Sequence, residues 1–175
     1  MANTKKQVFI VGPGYIGHEV IDLLLEDGYG VTALVRRPEA AESFKAQGVS
    51  SVMGTLEEVN TIRDQALESD IIIHTATADD LPSVDAIIGA IEQRAGRDQH
   101  TIYIHTSGCT FLCDDSNGEY KSDIIYSDQK PADMDARPDS SSHREIDNTI
   151  IAGRSRLSSH AKMFIMMPPL IYGAT

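Results

Sequence analysis

Along the first two thirds of the chain, short apolar runs alternate with segments whose apolar residues recur every three or four positions. The runs predict strands at Gln7–Val11, Gly30–Val35, Val49–Met53, Asp70–Thr75, Thr101–Thr106 and Lys162–Met167. The amphipathic segments predict helices at Tyr15–Asp27, Pro38–Gln47, Leu56–Glu68, Leu81–Arg94 and His143–Ala152. Several runs are almost wholly apolar, as strands covered on both faces are. The expected fold is therefore α/β, a doubly wound parallel sheet of about six strands with helices on both faces. Two helix starts carry their own chemistry. Pro38 occupies a first-turn position, and Thr55 with Glu58 three residues later reads as a capping box. The stretch from Gly108 to Ser142 breaks the pattern: it has no period and is dense in Asp, Ser, Pro and Gly. A loop of that length reads as a functional lid or a mobile excursion.

The connection between the first strand and the first helix is VGPGYIG, in which Gly12, Gly14 and Gly17 fit G-x-G-x-x-G. Strand before and helix after give the motif its meaning: Gly12 allows the tight turn, Gly14 lets a pyrophosphate approach the backbone, and Gly17 lets helix pack on strand. The helix start at Tyr15 and Ile16 then offers free N–H groups and a partial positive charge. The plainer alternative is that the three glycines serve packing alone. The second strand ends in LVRRPE, with Arg36 and Arg37 where an NAD site usually carries Asp or Glu. Guanidinium groups bind a 2′-phosphate through paired, charge-assisted hydrogen bonds, whereas a carboxylate repels it. NADP(H) is therefore expected over NAD(H), the alternative being that both arginines are solvated surface charges.

Composition narrows the partners. The 175 residues suit one domain, residues 1–175, and 41% hydrophobic with 23% charged is ordinary globular usage. A formal charge of -11 repels polyphosphate and anionic lipid, so neither nucleic acid nor a membrane surface is an expected partner. Cys109 and Cys113 are too few for a disulfide framework and lack the companions of a zinc site, so no metal is expected. The N-terminal apolar run is shorter than a signal peptide needs and no run approaches the ~20 residues of a membrane span, which points to a cytoplasmic protein.

VGPGYIG, LVRRPE, DIIIHTATA (Asp70 to Ala78), IHTSG (Ile104 to Gly108) and PPLIYG (Pro168 to Gly173) follow one another in an order that resembles the short-chain dehydrogenase/reductase superfamily, in its extended or atypical branch of epimerase/dehydratase-like and NmrA-like proteins. The resemblance spans nearly the whole chain. It implies a Rossmann sheet with the cofactor across its carboxyl edge, bounded by the strand ends at Val11, Val35, Thr75 and Thr106. It places Thr75 and Ala76 on the adenine and ribose side and Pro168 to Ile171 on the nicotinamide side. Where many relatives have Asp-Leu after the third strand, this chain has Thr55-Leu56, so adenine contact falls to Leu56 and backbone.

The catalytic residues of that superfamily are harder to place. Its reductases use Tyr-x-x-x-Lys on one helix face with a Ser or Thr polarising the carbonyl. Tyr126 to Lys130 matches literally, but Pro131 pushes Lys130 away from helical angles and the flanking residues lack an apolar stripe. The segment SSHREIDNTIIAG, Ser141 to Gly153, has the helical character required, with Ile146, Ile150 and Ile151 expected on one face. In that register His143 stands in the tyrosine's place and Asp147 in the lysine's. A carboxylate raises a histidine's pKa instead of depressing a phenol's, so the pair cannot do the same job, although His143 can exchange protons near neutral pH. The plainer alternative makes His143 a helix-start residue and Asp147 a solvated one. The hydroxyl position ending the fifth strand aligns with Gly108, and Ser107, one residue earlier, faces the other side of the strand. His143, Ser107 and Tyr126 are thus the catalytic candidates.

PPLIYGAT falls where extended relatives begin their substrate-binding portion, so the chain is expected to be a segment of a longer protein, the alternative being a reduced member without the usual cleft; either way exposed apolar surface near the last strand would favour a homodimer. Two functions fit these readings. One is an NADP(H)-dependent oxidoreductase or epimerase/dehydratase-type enzyme acting on a small carbonyl or hydroxyl compound. The other is a non-catalytic NADP(H)-binding redox sensor or scaffold of the NmrA-like type.

Overall fold

A computed structural model describes residues 5–173 apart from 115 and 117; the first four residues and the last two of PPLIYGAT lie outside it. Six strands form one all-parallel sheet: β1 (Gln7–Val11), β2 (Gly30–Val35), β3 (Ser50–Met53), β4 (Ile71–His74), β5 (Thr101–Thr106) and β6 (Ala161–Met166). Their order, β3-β2-β1-β4-β5-β6, reverses direction between β1 and β4. In such sheets the crevice at the reversal, outside the carboxyl ends of the strands, takes the ligand.

Six helices accompany the strands: α1 (Tyr15–Glu26), α2 (Pro38–Ala46), α3 (Val59–Leu67), α4 (Leu81–Ala95), α5 (Pro131–Asp135) and α6 (Arg144–Leu157). The two-residue period of β1 divides them between two cores. Val8 and Ile10 pack with Ile21 of α1 and Phe44 of α2, whereas Phe9 and Val11 pack with Ile62 of α3 and Val84, Ile87 and Ile91 of α4. Each fully buried Ile or Phe of this kind stabilises the fold by about 1.5–3 kcal/mol.

The far end of the sheet is covered differently. Strand β5 alternates between buried and half-buried residues, with Tyr103 in the α3/α4/α6 core and Ile102 and Ile104 only partly covered. On β6, Met163 packs under α6 while Phe164 and Met166, on the other face, are about half exposed. With Leu170 and Tyr172 they form the apolar surface expected near the last strand. Helices cover both faces of the sheet over β1 and β2, but among the described residues only one face over β5 and β6.

Three local expectations change in the folded chain. Residues 56–58 make a turn and α3 starts at Val59, because Glu58 adopts φ -86°, ψ 61°. The Glu58 carboxylate accepts the Thr55 N–H, and the Thr55 hydroxyl accepts from Glu57 N–H at 3.3 Å, so the capping pair closes that turn ahead of the helix. Helix α6 starts at Arg144, since His143 takes left-handed angles (φ 67°). It buries Ile146 and Ile150 but leaves Ile151 exposed, because a spacing of four shares a face and a spacing of five does not. The long loop contains a 3₁₀ turn at Cys109–Leu112 and the short α5. Buried Phe111 lies under the Arg144 guanidinium, whose Nη2 donates to the Asp135 carbonyl, and Arg137 Nη2 donates to the Cys113 carbonyl at 2.7 Å. The loop is thus clamped to α6 and to itself by two arginines.

Candidate functional site

Strand β1 ends at Val11 and the chain turns at once into α1. Gly12 makes this turn at φ +94°, where a Cβ would lie 2.4 Å from the Ala76 backbone. Gly17 permits the close crossing that follows, since a Cβ there would sit 2.4 Å from the Gly12 carbonyl oxygen. The Thr75 hydroxyl donates to that same oxygen at 2.6 Å and ties the turn to the end of β4. Gly14 is different: the space its Cβ would fill is open. Packing within the protein does not call for glycine there, whereas close approach of a ligand to the backbone does. Helix α1 has no side-chain cap, and the His18 N–H donates to the Gly14 carbonyl at 2.8 Å. The N–H groups of Tyr15, Ile16 and Gly17 precede that bond and have no carbonyl within the helix to accept them. A turn, an open approach and a cluster of free donors are what a dinucleotide pyrophosphate requires, so these residues fit the cofactor.

A cleft of about 680 Å³ opens from this turn along the carboxyl edge of the sheet. Of the expected cofactor residues, Gly12, Gly14, Arg36, Arg37, Leu56, Thr75 and Ala76 line it. Arg36 and Arg37 are exposed at the end of β2, and among the described residues neither forms an ion pair. Leu56 and Thr55 line it on the turn before α3, beside Glu57. At the opposite end it reaches Thr77 and Asp80, between β4 and α4. Thr106 and Pro168 stand apart from the lining: Thr106 pairs with Met166, and the Pro168 carbonyl accepts the Cys109 N–H at 3.3 Å. A Cβ on Gly173 would come within 2.9 Å of the Tyr15 hydroxyl, so the end of PPLIYG returns to the start of α1.

Next to Asp80 lies a second cluster. His143 Nδ1 meets Asp79 Oδ1 at 2.6 Å, and His143 Nε2 meets Thr110 Oγ1 at 2.7 Å. One segment from each of β4, β5 and α6 therefore contributes to a hydroxyl–imidazole–carboxylate chain. Asp79 and Thr110 stand 64 and 33 positions from His143, and no motif marks them; the one local signal is the pair Asp79-Asp80 directly before the start of α4.

Ser107 and Asp147 occupy a different place from the one expected. Asp147 is not solvated: it is 1% exposed on the inner face of α6, and buried Ser107 donates to its Oδ2 at 3.2 Å. Burial raises the Asp147 pKa, opposed by the Ser107 hydrogen bond and then by His143 and Arg144. Ser107 thus points into the protein beneath α6, one residue from the exposed edge. Tyr126 takes no part in either cluster; Arg137 Nη1 donates to its hydroxyl at 3.4 Å. Lys130 lies outside the helix that begins at Pro131, so Tyr126 and Lys130 do not share a helical face.

Below these groups two fully buried histidines stand side by side on neighbouring strands, His74 opposite His105, with ring centroids 5.0 Å apart. The Ser83 hydroxyl donates to the Asp80 carbonyl, so His74 Nε2–H donates to Ser83; the Tyr103 hydroxyl lies 3.2 Å from His105 Nδ1. Burial lowers the His74 pKa to about 4, against an opposing pull from Asp80. Burial, helped by His74 and His143 and opposed by Asp79, lowers that of His105 to about 3. Both are neutral at physiological pH. Among the described residues no group of three or more His, Cys, Asp or Glu side chains is placed to hold a metal ion, and no helix is long and apolar enough to cross a membrane.

Comparison with known proteins agrees with this geometry. The chain belongs to the NAD(P)H-binding family, which matches residues 12–151, a membership consistent with the superfamily its motifs resemble. It is 31% identical over 155 residues to the oxidase ucsJ of Acremonium sp, covering 83% of this chain and 44% of that one. It is 31% identical over 101 residues to a phenylcoumaran benzylic ether reductase of Pyrus communis, covering 53% and 33%. Its fold is that of a yeast methylglyoxal/isovaleraldehyde reductase solved with NADPH, at a TM-score of 0.64, 18% identity, and coverage of 95% of this chain and 58% of that one. A further reductase structure gives a TM-score of 0.71 at 17% identity, covering 97% and 60%. The chain spans less than half the length of the curated relatives it matches.

Proposed function

We propose that this chain is the dinucleotide-binding part of an NADPH-dependent reductase acting on a small carbonyl compound. One observation carries the reading: a single cleft has two arginines at one end and, beside its other end, a hydroxyl–imidazole–carboxylate chain, with the glycine turn between them. In this arrangement Arg36 and Arg37 hold the 2′-phosphate, the start of α1 holds the pyrophosphate, and Leu56 borders the adenine. Pro168 and Thr106 flank the nicotinamide side. The bound dinucleotide supplies a hydride, and the protein supplies position and a proton.

The names of the relatives support this reading, since a ketoreductase of Stigmatella aurantiaca is 35% identical over 75 residues and the benzylic ether reductases match further. With Ser107 buried against Asp147 and Tyr126 held by Arg137 away from both clusters, we assign the proton transfer to neither. Calorimetry with NADPH and NADH tests the cofactor assignment. NADPH is expected to bind at least about 10-fold tighter, corresponding to about 1.4 kcal/mol. Changing Arg36 and Arg37 together to Glu should abolish the preference, and equal affinities in the unaltered protein would refute the phosphate assignment. NADPH consumption with small aldehydes and ketones tests the activity; tight NADPH binding without consumption of any carbonyl would favour the sensor reading.

A further inference from the structure

We infer that the Thr110 hydroxyl is the group that hands the proton to the substrate oxygen, with His143 as its proton source and Asp79 as the positioning residue; this rests on the reductase reading above and deepens it. Both imidazole nitrogens are committed, Nδ1 to Asp79 and Nε2 to Thr110, and the His143 side chain is 16% exposed. No nitrogen is left over for a substrate. Thr110 and Asp79 are both exposed, and of the two only Thr110, on the 3₁₀ turn that follows β5, offers a hydroxyl.

The backbone is arranged to keep this contact. His143 adopts φ 67°, a left-handed conformation unfavourable for a residue with a Cβ. Strain of this kind persists only where the surroundings impose it, and here two segments from elsewhere in the chain grip the ring. Gly108 contributes as well: a Cβ at that position would lie 3.0 Å from His143 Nε2 and crowd the nitrogen that Thr110 uses. Glycine at 108 and a hydroxyl at 110 are thus parts of one design. Asp79 adjoins Asp80, a cleft-lining residue, which sets the chain of groups at the cleft's end.

The step balances as follows. Hydride from the bound dinucleotide forms the new C–H bond at the carbonyl carbon, reducing the carbonyl while the nicotinamide is oxidised. As negative charge grows on the carbonyl oxygen, it takes the Thr110 proton, and Thr110 Oγ1 takes the proton from Nε2 of the His143 imidazolium. The ring is left neutral with Nδ1–H donating to Asp79, and it regains its Nε2 proton from solvent. Asp79, His105 and Asp147 are the titratable groups that act on the ring.

The test uses the full chain and two readouts. Nitrogen NMR of the imidazoles at a pH where His143 is neutral should show the proton on Nδ1. Thr110→Val should move the Nε2 resonance and leave Nδ1 in place, while Asp79→Asn should release the ring to a mixture of tautomers. A proton resting on Nε2, or an Nε2 signal indifferent to Thr110→Val, overturns the proposal without any substrate. NADPH consumption with 4-nitrobenzaldehyde is the second readout. Thr110→Val should lose about 100-fold or more in kcat, the range of general acid catalysis, with NADPH affinity unchanged. Thr110→Ser should restore most of the loss, and His143→Gln should flatten the pH profile of kcat. A Thr110→Val protein that keeps its kcat overturns the assignment, whereas a wild-type chain that binds NADPH and turns over no carbonyl overturns the reductase reading on which it rests. Loss of NADPH binding by the wild-type chain would instead overturn the cofactor reading beneath it.

Discussion

The two ends of the sheet are built by different physics. Around β1, β2 and β3 the functional surface is backbone: a left-handed glycine, an open glycine, an uncapped helix start and two arginines at a strand end. Around β4, β5 and β6 it is side chain: Thr110, His143 and Asp79 at the edge, and beneath them a buried layer of His74, His105, Tyr103 and Asp147. The first end binds by leaving donors unpaired toward solvent. The second stores polar groups that must remain neutral or paired, because an uncompensated buried charge costs several kcal/mol. Cofactor recognition is therefore local and robust, whereas the stability of the other end is conditional on protonation.

Acid should break this symmetry most strongly. His74 and His105 have folded pKa values of about 4 and about 3, below the ordinary histidine value, so the unfolded chain binds more protons between these limits. The stability they maintain is complete above about pH 6.5 and falls with pH by roughly 1.4 kcal/mol per unit for each histidine, about 4 kcal/mol in total by pH 5. Denaturant titrations across pH 5 to 7 measure the loss. Hydrogen exchange should show β4 and β5 losing protection before β2 and β3; uniform loss across the sheet would remove the contrast drawn above.

The glycine turn offers the next largest effect and separates two roles within one motif. Gly12→Ala forces a Cβ into the Ala76 backbone at a left-handed φ and should destabilise by about 3 kcal/mol, abolishing NADPH binding with it. Gly14→Ala meets no protein atom, so the melting temperature should hold while NADPH affinity falls at least about 10-fold, or about 1.4 kcal/mol. Thermal melts with calorimetry on both variants decide whether Gly14 is reserved for the ligand.

Asp147→Asn has the smallest expected effect and the opposite sign. Burial holds the Asp147 pKa above its ordinary value, so the folded chain favours the protonated form and loses stability as pH rises through that window. The amide keeps the shape and an acceptor for Ser107 without the charge. The variant should be more stable by about 1 kcal/mol at pH 7, a gain that vanishes toward about pH 4, where the unfolded carboxyl protonates. A destabilised variant would show that the charge serves His143 and Arg144 and is not merely tolerated.

What the sequence determined by itself is the β1–β3 end and the order of elements. Apolar runs bounded by glycine, proline and capping residues placed all six strands to within a residue of their ends, because strand burial is written in consecutive positions. VGPGYIG and LVRRPE were legible for the same reason: a turn at positive φ, a helix start and a strand end are local constraints that a few adjacent residues satisfy. Tertiary structure alone decided the β4–β6 end. It buried Asp147 by setting α6 against α4 and β6, left one face over β5 and β6 without a helix among the described residues, and put Tyr126 under Arg137. It also joined His143 to Asp79 and Thr110 across 64 and 33 positions. Polar side chains with no periodicity carry no record of their partners, since a hydrogen bond depends on where strands and helices bring two atoms together and not on the residues beside either one.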